Sequence, residues 1–166
     1  MTETPEGLLA RLEAAGIEAR TVPHPPLFTV AESRALRGDL PGLHSKNLFL
    51  RRKEGGFALA VLEEGRQLRV NELARRAGWG RVSMGSAEEL RAVLGVEPGS
   101  VTPFGLVHAA PGTVRVVLDA ALAEAPALVW FHPLVNTAST GLAPEALLRF
   151  LRGLGHEVTV LDLNPA

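Results

Sequence analysis

A mixed α/β (α+β) fold is what this sequence predicts, on three observations. Apolar runs of strand length interleave irregularly with amphipathic stretches of helical period, which favours a mixed sheet with packed helices. The chain is 46% hydrophobic and nearly balanced between 17 basic and 18 acidic residues, as a folded core with a solvated surface requires. Its 166 residues suit one core, and no repeat, low-complexity tract or long linker divides them, so residues 1–166 read as a single domain.

The elements follow in order. Pro5 suits a first helical turn, and Leu8, Leu9, Leu12 and Ala15 form an apolar stripe ended by Gly16. Residues 17–22 alternate like a strand, and "PHPP" (23–26) reads as an extended loop. Thr29 with Glu32 resembles a capping box that opens a short helix toward Gly38. Residues 46–52 and 57–62 predict a hairpin across "KEGG". Asn71 is the expected cap of a helix to Gly78, and Ser86 with Glu89 forms a capping box for a helix to Gly95. Residues 97–105 hold too many breakers to be regular. Strands are expected at 106–108, 114–118 and 128–131, with 136–141 a polar loop. Pro144 opens the clearest helix, carrying Leu147, Leu148, Phe150, Leu151 and Leu154, and 157–163 close as a strand.

Composition narrows the chemistry. With no cysteine, disulfides, thiolate nucleophiles and Cys-ligated zinc are impossible. A formal charge of −1 excludes a generally basic nucleic-acid coat, so any nucleic acid must be met by a local patch or at an end. The N-terminus lacks a signal-peptide pattern, and no apolar run approaches the roughly 20 residues that span a bilayer, so a cytoplasmic protein is expected. There is no G-x-S-x-G, H-E-x-x-H, Walker loop or G-x-G-x-x-G. The five histidines, His24, His44, His108, His132 and His156, never fall at a local metal spacing, so no metal and no cofactor is expected.

Three segments carry candidate chemistry. Lys46, one of only two lysines, precedes the apolar run Leu48-Phe49-Leu50, and Asn47 sets a second polar group at the edge of that core. An ammonium there suits a phosphate or a developing oxyanion, although a solvated lysine at a strand end is the plainer reading of the residue type alone. In "GSVTPFG" (99–105), Gly99, Pro103 and Gly105 fix backbone geometry that leaves amides able to point at a ligand, where a plain connecting loop is the alternative. In "WFHPLVNTAST" (130–140), His132 stands at a strand end before Pro133, and Asn136, Thr137, Ser139 and Thr140 supply short polar groups. A capped turn with a structural histidine is the alternative here.

Taken in order, "HPPLFT" (24–29), "KNLFL" (46–50), "GSVTPFGL" (99–106) and "HPLVNTAST" (132–140) resemble the YbaK/ProX family of aminoacyl-tRNA editing domains, over about residues 8 to 162. The resemblance is strongest to the free-standing branch that deacylates alanyl-tRNA(Pro). It implies a curved mixed β-sheet flanked by helices, and hydrolysis of the ester joining a wrong amino acid to the 3′-terminal ribose of tRNA(Pro). It places Lys46, Gly99 and His132 in the catalytic centre. Phe28, Thr29, Val30, Asn47, Phe49, Ser100, Thr102, Pro103, Phe104, Gly105, Asn136, Thr137 and Ser139 are then the expected substrate-binding residues. Phe28, Val30, Phe49 and Phe104 are its candidate pocket walls. The implied partners are the acceptor end of tRNA(Pro) and prolyl-tRNA synthetase, with Arg51, Arg52, Lys53, Arg75 and Arg76 as candidate contacts to the tRNA body. Removal of cysteine from tRNA(Pro), and a non-catalytic module that binds tRNA or the synthetase, are the competing expectations.

Overall fold

The structure is a computed structural model in which residues 2–26 and 40–165 are described. Helix α1 (Pro5–Ala14) is capped by the Thr4 side chain, and β1 (Ala19–Pro23) follows. The hairpin of β2 (Leu43–Arg52) and β3 (Phe57–Glu63) forms as expected, with Arg51 opposite Phe57 and Lys46 opposite Leu62. Next come α2 (Val70–Ala77), β4 (Val82–Met84) and α3 (Ala87–Leu94), the last opened by the complete Ser86–Glu89 capping box. A 3-10 helix (Pro103–His108), β5 (Val114–Asp119), α4 (Ala120–Ala123), β6 (Val129–Phe131), β7 (Ala138–Leu142), α5 (Pro144–Gly153) and β8 (Val158–Leu161) complete the described chain.

Three expectations change. Asn71 lies inside α2, whose N-cap is Arg69 with no side-chain cap bond. Residues 106–108 are the end of the 3-10 helix, not a strand, because Thr102 caps the turn and Pro103 presets its first φ. Residues 138–141 are strand, not loop. Their hydroxyls are paired inside the fold, Thr140 Oγ1 with Thr21 Oγ1 at 2.8 Å, so a polar sequence sits in a sheet at little cost. The helix expected after Thr29 lies outside the described residues.

One mixed sheet runs β1-β7-β6-β2-β3-β5-β8, with β4 also on β2. The pairs β2–β6, β3–β5 and β5–β8 are parallel, and the rest are antiparallel. Strand β3 shows why two cores form. Its alternate residues Leu59 and Val61 enter the larger core, while Ala58, Ala60 and Leu62 enter the smaller one. The larger core is closed by Leu8 and Leu12 of α1, Leu90 and Leu94 of α3, Phe104, and Leu147, Phe150 and Leu151 of α5. Leu73 and Ala74 of α2 close the smaller one with Trp79.

Strand β2 is divided on its other edge. Leu43 and His44 pair with β6, and Leu50 to Arg52 pair with β4. Between these two partners, no described strand pairs with residues 45–48 on that edge. The sheet therefore opens where Lys46 and Asn47 stand.

Candidate active site

Consecutive strand residues face opposite sides, and β2 applies this to the two polar residues at the opening. The Lys46 amine donates to the Arg66 carbonyl in the turn after β3. None of the ion pairs among the described residues includes it. That turn is braced from below. Arg66 makes a two-pronged bond to the fully buried Asp119 at 3.0 Å, and Asp119 also accepts from the Glu63 and Ala121 amides. The bond to the Asp119 carboxylate pushes the Arg66 pKa up.

Asn47 faces the other way. Its Nδ2 donates to Ser45 Oγ at 3.2 Å, and Ser45 Oγ donates to the Trp130 carbonyl in β6 at 2.9 Å. Asn47 Oδ1 is buried, and among the described residues it accepts no hydrogen bond. An orphaned buried acceptor costs about 1–3 kcal/mol.

The loop from Gly99 to Pro103 is built from inside. Ser100 donates its amide to the Glu97 carbonyl, and Thr102, fully buried, takes the Phe104 amide on its hydroxyl and the Gly105 amide on its carbonyl. Among the described residues, no backbone carbonyl takes the amides of Gly99, Val101 or Thr102. Gly99 has φ +94°, a left-handed backbone that favours glycine. A methyl placed on it lies 3.7 Å from Asn136 Nδ2, so this loop abuts the loop after His132. Within that second loop Leu134, buried and with φ +72°, holds a left-handed turn unusual for a branched residue.

His132 and Ser139 both lie beside His24 at the end of the β1–β7 pair. The His132 ring Nδ1 lies 3.2 Å from the Ala138 carbonyl, which only accepts, so Nδ1 carries the proton and Nε2 a lone pair. Burial pushes the His132 pKa below its ordinary value; the Ala138 bond opposes this, and the nearby His24 adds to it. His24 lies 6.4 Å from His132 between ring centres, and its Nε2 is 2.9 Å from Ser139 Oγ. Thr137 contributes its carbonyl, which accepts from the His24 amide at 2.9 Å.

The structure thus brings together Gly99 with Asn136, and His24 with Ser139, Thr137 and the His132 ring. It sets Lys46 on the opposite side of β2 from Asn47. Phe28, Thr29 and Val30 lie outside the described residues. Phe49 and Phe104, expected as pocket walls, are 3% and 0% exposed. Phe49 stacks on Phe57 at 5.2 Å, and Phe104 meets Phe131 and Phe150 edge-on, so both shape the site from within the core. Of the basic candidates, Arg51 pairs with Glu89 at 3.3 Å, Arg52 caps the Trp79 and Gly55 carbonyls, Arg75 pairs with Glu72, and Arg76 binds the Asp162 carbonyl. His24 was not singled out from the sequence. Its one signal is position, at the head of the "HPP" stretch directly after β1. Among the described residues, no group of three metal-ligating side chains could hold an ion, and no helix is long and apolar enough to cross a membrane.

Residues 24–150 match the model of the aminoacyl-tRNA editing domain. The chain belongs to that family. Prolyl-tRNA synthetase associated domain-containing protein 1 of Bos taurus is 38% identical over 158 residues, covering 93% of this chain and 92% of the relative. The prolyl-tRNA editing protein ProX of Acetoanaerobium sticklandii is 26% identical, covering 95% and 96%. Among solved structures, one described as a proposed trans-editing enzyme for prolyl tRNA synthetase superposes with a TM-score of 0.75 at 24% identity, covering all of this chain and 99% of the other. The fold of the editing family and that of this chain are therefore the same mixed sheet.

Proposed function

We propose that the protein is a trans-editing deacylase that hydrolyses the aminoacyl ester of mischarged tRNA(Pro), with Ala-tRNA(Pro) as its principal substrate. The observation that carries this reading is the contact between the Gly99 loop, with its unclaimed amides, and the loop of His132 and Asn136. Membership of the editing family supports the reaction class, and the names of the Bos taurus and Acetoanaerobium sticklandii relatives support prolyl-tRNA as the adaptor.

An aminoacyl ester is already activated, so positioned water suffices as nucleophile. Water attacks the carbonyl carbon, the oxyanion takes hydrogen bonds from the unclaimed amides of Gly99, Val101 or Thr102, and the ribose oxygen leaves with a proton. His132, neutral at physiological pH, orients the water or the aminoacyl group through Nε2. Lys46, which among the described residues is held by a carbonyl and not by a carboxylate, offers its charge to the terminal phosphate. Exclusion of proline is steric: a pocket sized for alanine rejects a ring far better than contact alone separates the two.

The test is deacylation of Ala-, Cys-, Ser- and Pro-tRNA(Pro) by the purified protein. Loss of the alanyl ester with the prolyl ester intact is expected. Hydrolysis of none of the four indicates a non-catalytic binding module instead, and preference for the cysteinyl ester reassigns the substrate.

A further inference from the structure

His24 and Ser139 stand 115 residues apart in sequence and form a bond that no catalytic step above uses. The His24 ring is oriented at both ends. Nδ1 lies 2.8 Å from the Pro25 carbonyl and must donate to it, which leaves Nε2 of the neutral ring as an acceptor. Ser139 is 6% exposed, and its hydroxyl donates its only proton to that Nε2. The serine oxygen therefore offers only lone pairs to a ligand. His132, next to His24, is fixed in the same sense: Nδ1–H donates to Ala138, and Nε2 keeps its lone pair. Among the described residues, Ser139 Oγ and His132 Nε2 beside His24 thus offer lone pairs, which recognise a donor.

We propose that Ser139, locked by His24, and His132 form the recognition site for the free α-amino group of the aminoacyl ester. This rests on the deacylase reading and names the chemical class that the site admits, esters of amino acids with an unblocked amine. The ester withdraws electrons from that amine, so neutral acceptors suffice in place of a carboxylate. A blocked amine, as in an N-acylaminoacyl or peptidyl adaptor, offers fewer protons and more bulk, and leaves the buried acceptors unpaired. Sites built to pair a donor reject such analogues strongly. His24 acts through Ser139 and is a positioning residue.

The experiment compares single-turnover hydrolysis of Ala-tRNA(Pro) and N-acetyl-Ala-tRNA(Pro). Wild-type protein is expected to cleave the acetylated substrate at least about 100-fold more slowly. Ser139→Ala removes one acceptor, and should lower the rate on Ala-tRNA(Pro) about tenfold and the slow acetylated rate by a smaller factor, so the ratio narrows. His24→Phe releases the serine proton and should narrow the ratio likewise. Should His24→Phe fail to fold, the near-isosteric Ser139→Ala decides alone. Equal wild-type rates on the two substrates, or a Ser139→Ala loss of the same factor on both, overturns the amine site and leaves the deacylase reading standing. If wild-type protein cleaves neither substrate, the deacylase reading itself fails, and this inference with it.

Discussion

Lys46 and Asn47 are neighbours in β2 whose side chains bond to different parts of the molecule. The lysine reaches the Arg66 carbonyl in the turn after β3, and the asparagine reaches Ser45 beside β6. The strand passes between a cation on one side and a buried, unpartnered acceptor on the other.

Asn47→Leu tests that acceptor. The change removes a bond worth about 1 kcal/mol and a buried orphan that costs about 1–3 kcal/mol, so stability should hold or rise. Deacylation should fall at least about tenfold if the orphan is kept for the substrate. A melting curve and a deacylation rate on the same sample check both halves, and a less stable but fully active variant contradicts the assignment.

Asp119 anchors the turn that receives Lys46. Asp119→Ala strands the Arg66 guanidinium and two amides, and should cost about 3–5 kcal/mol. Urea unfolding reads the loss directly. A change below about 1 kcal/mol means that water replaces the carboxylate without penalty.

The pH profile should carry the mark of His132. Its pKa is lowered in the folded protein from 6.5, so below that value the unfolded chain takes up the proton more readily than the folded one. The stabilising contribution of the neutral ring is complete above pH 6.5 and declines as pH falls from there through the lower folded pKa. Urea midpoints between pH 7.5 and 5.5 should drop more steeply for wild type than for His132→Gln; parallel slopes would show that the ring's burial is energetically silent.

Leu134 reverses a usual order. In most settings Gly destabilises more than Ala, but here φ is +72°. Leu134→Ala loses the burial and keeps the left-handed strain, whereas Leu134→Gly loses the burial and relieves about 1–2 kcal/mol of strain. The glycine variant should therefore be the more stable of the two in thermal melts.

Two glycines in the same region should respond differently. Gly99→Ala has space, with the nearest atom at 3.7 Å, so only the left-handed backbone is penalised, by about 1–2 kcal/mol. Gly105→Ala drives a methyl to 2.8 Å from the Leu94 carbonyl and forces the 3-10 helix off α3. Soluble yield and melting temperature should rank Gly105→Ala below Gly99→Ala, and a reversed ranking would show that α3 yields easily.

What the sequence revealed was local. The Ser86–Glu89 box, the hairpin and the Pro144 helix were readable because each signal lies within a few residues of the structure it creates. The depth at which Phe49 and Phe104 pack was not legible, because neighbouring a motif says nothing about which face of a strand or turn is turned inward. Ser139 and Thr140 looked like loop residues because their partners, His24 and Thr21, lie more than a hundred positions away. The division of β2 between β6 and β4, which opens the sheet at Lys46, likewise depends on pairings no single segment encodes.

The pairing of β1 with β7 has a bearing on biosynthesis. Among the described residues, a nascent chain that has emerged only as far as β6 holds β1 without its partner strand and His24 without Ser139. The His24–Ser139 bond therefore waits on a residue synthesised 115 positions after His24.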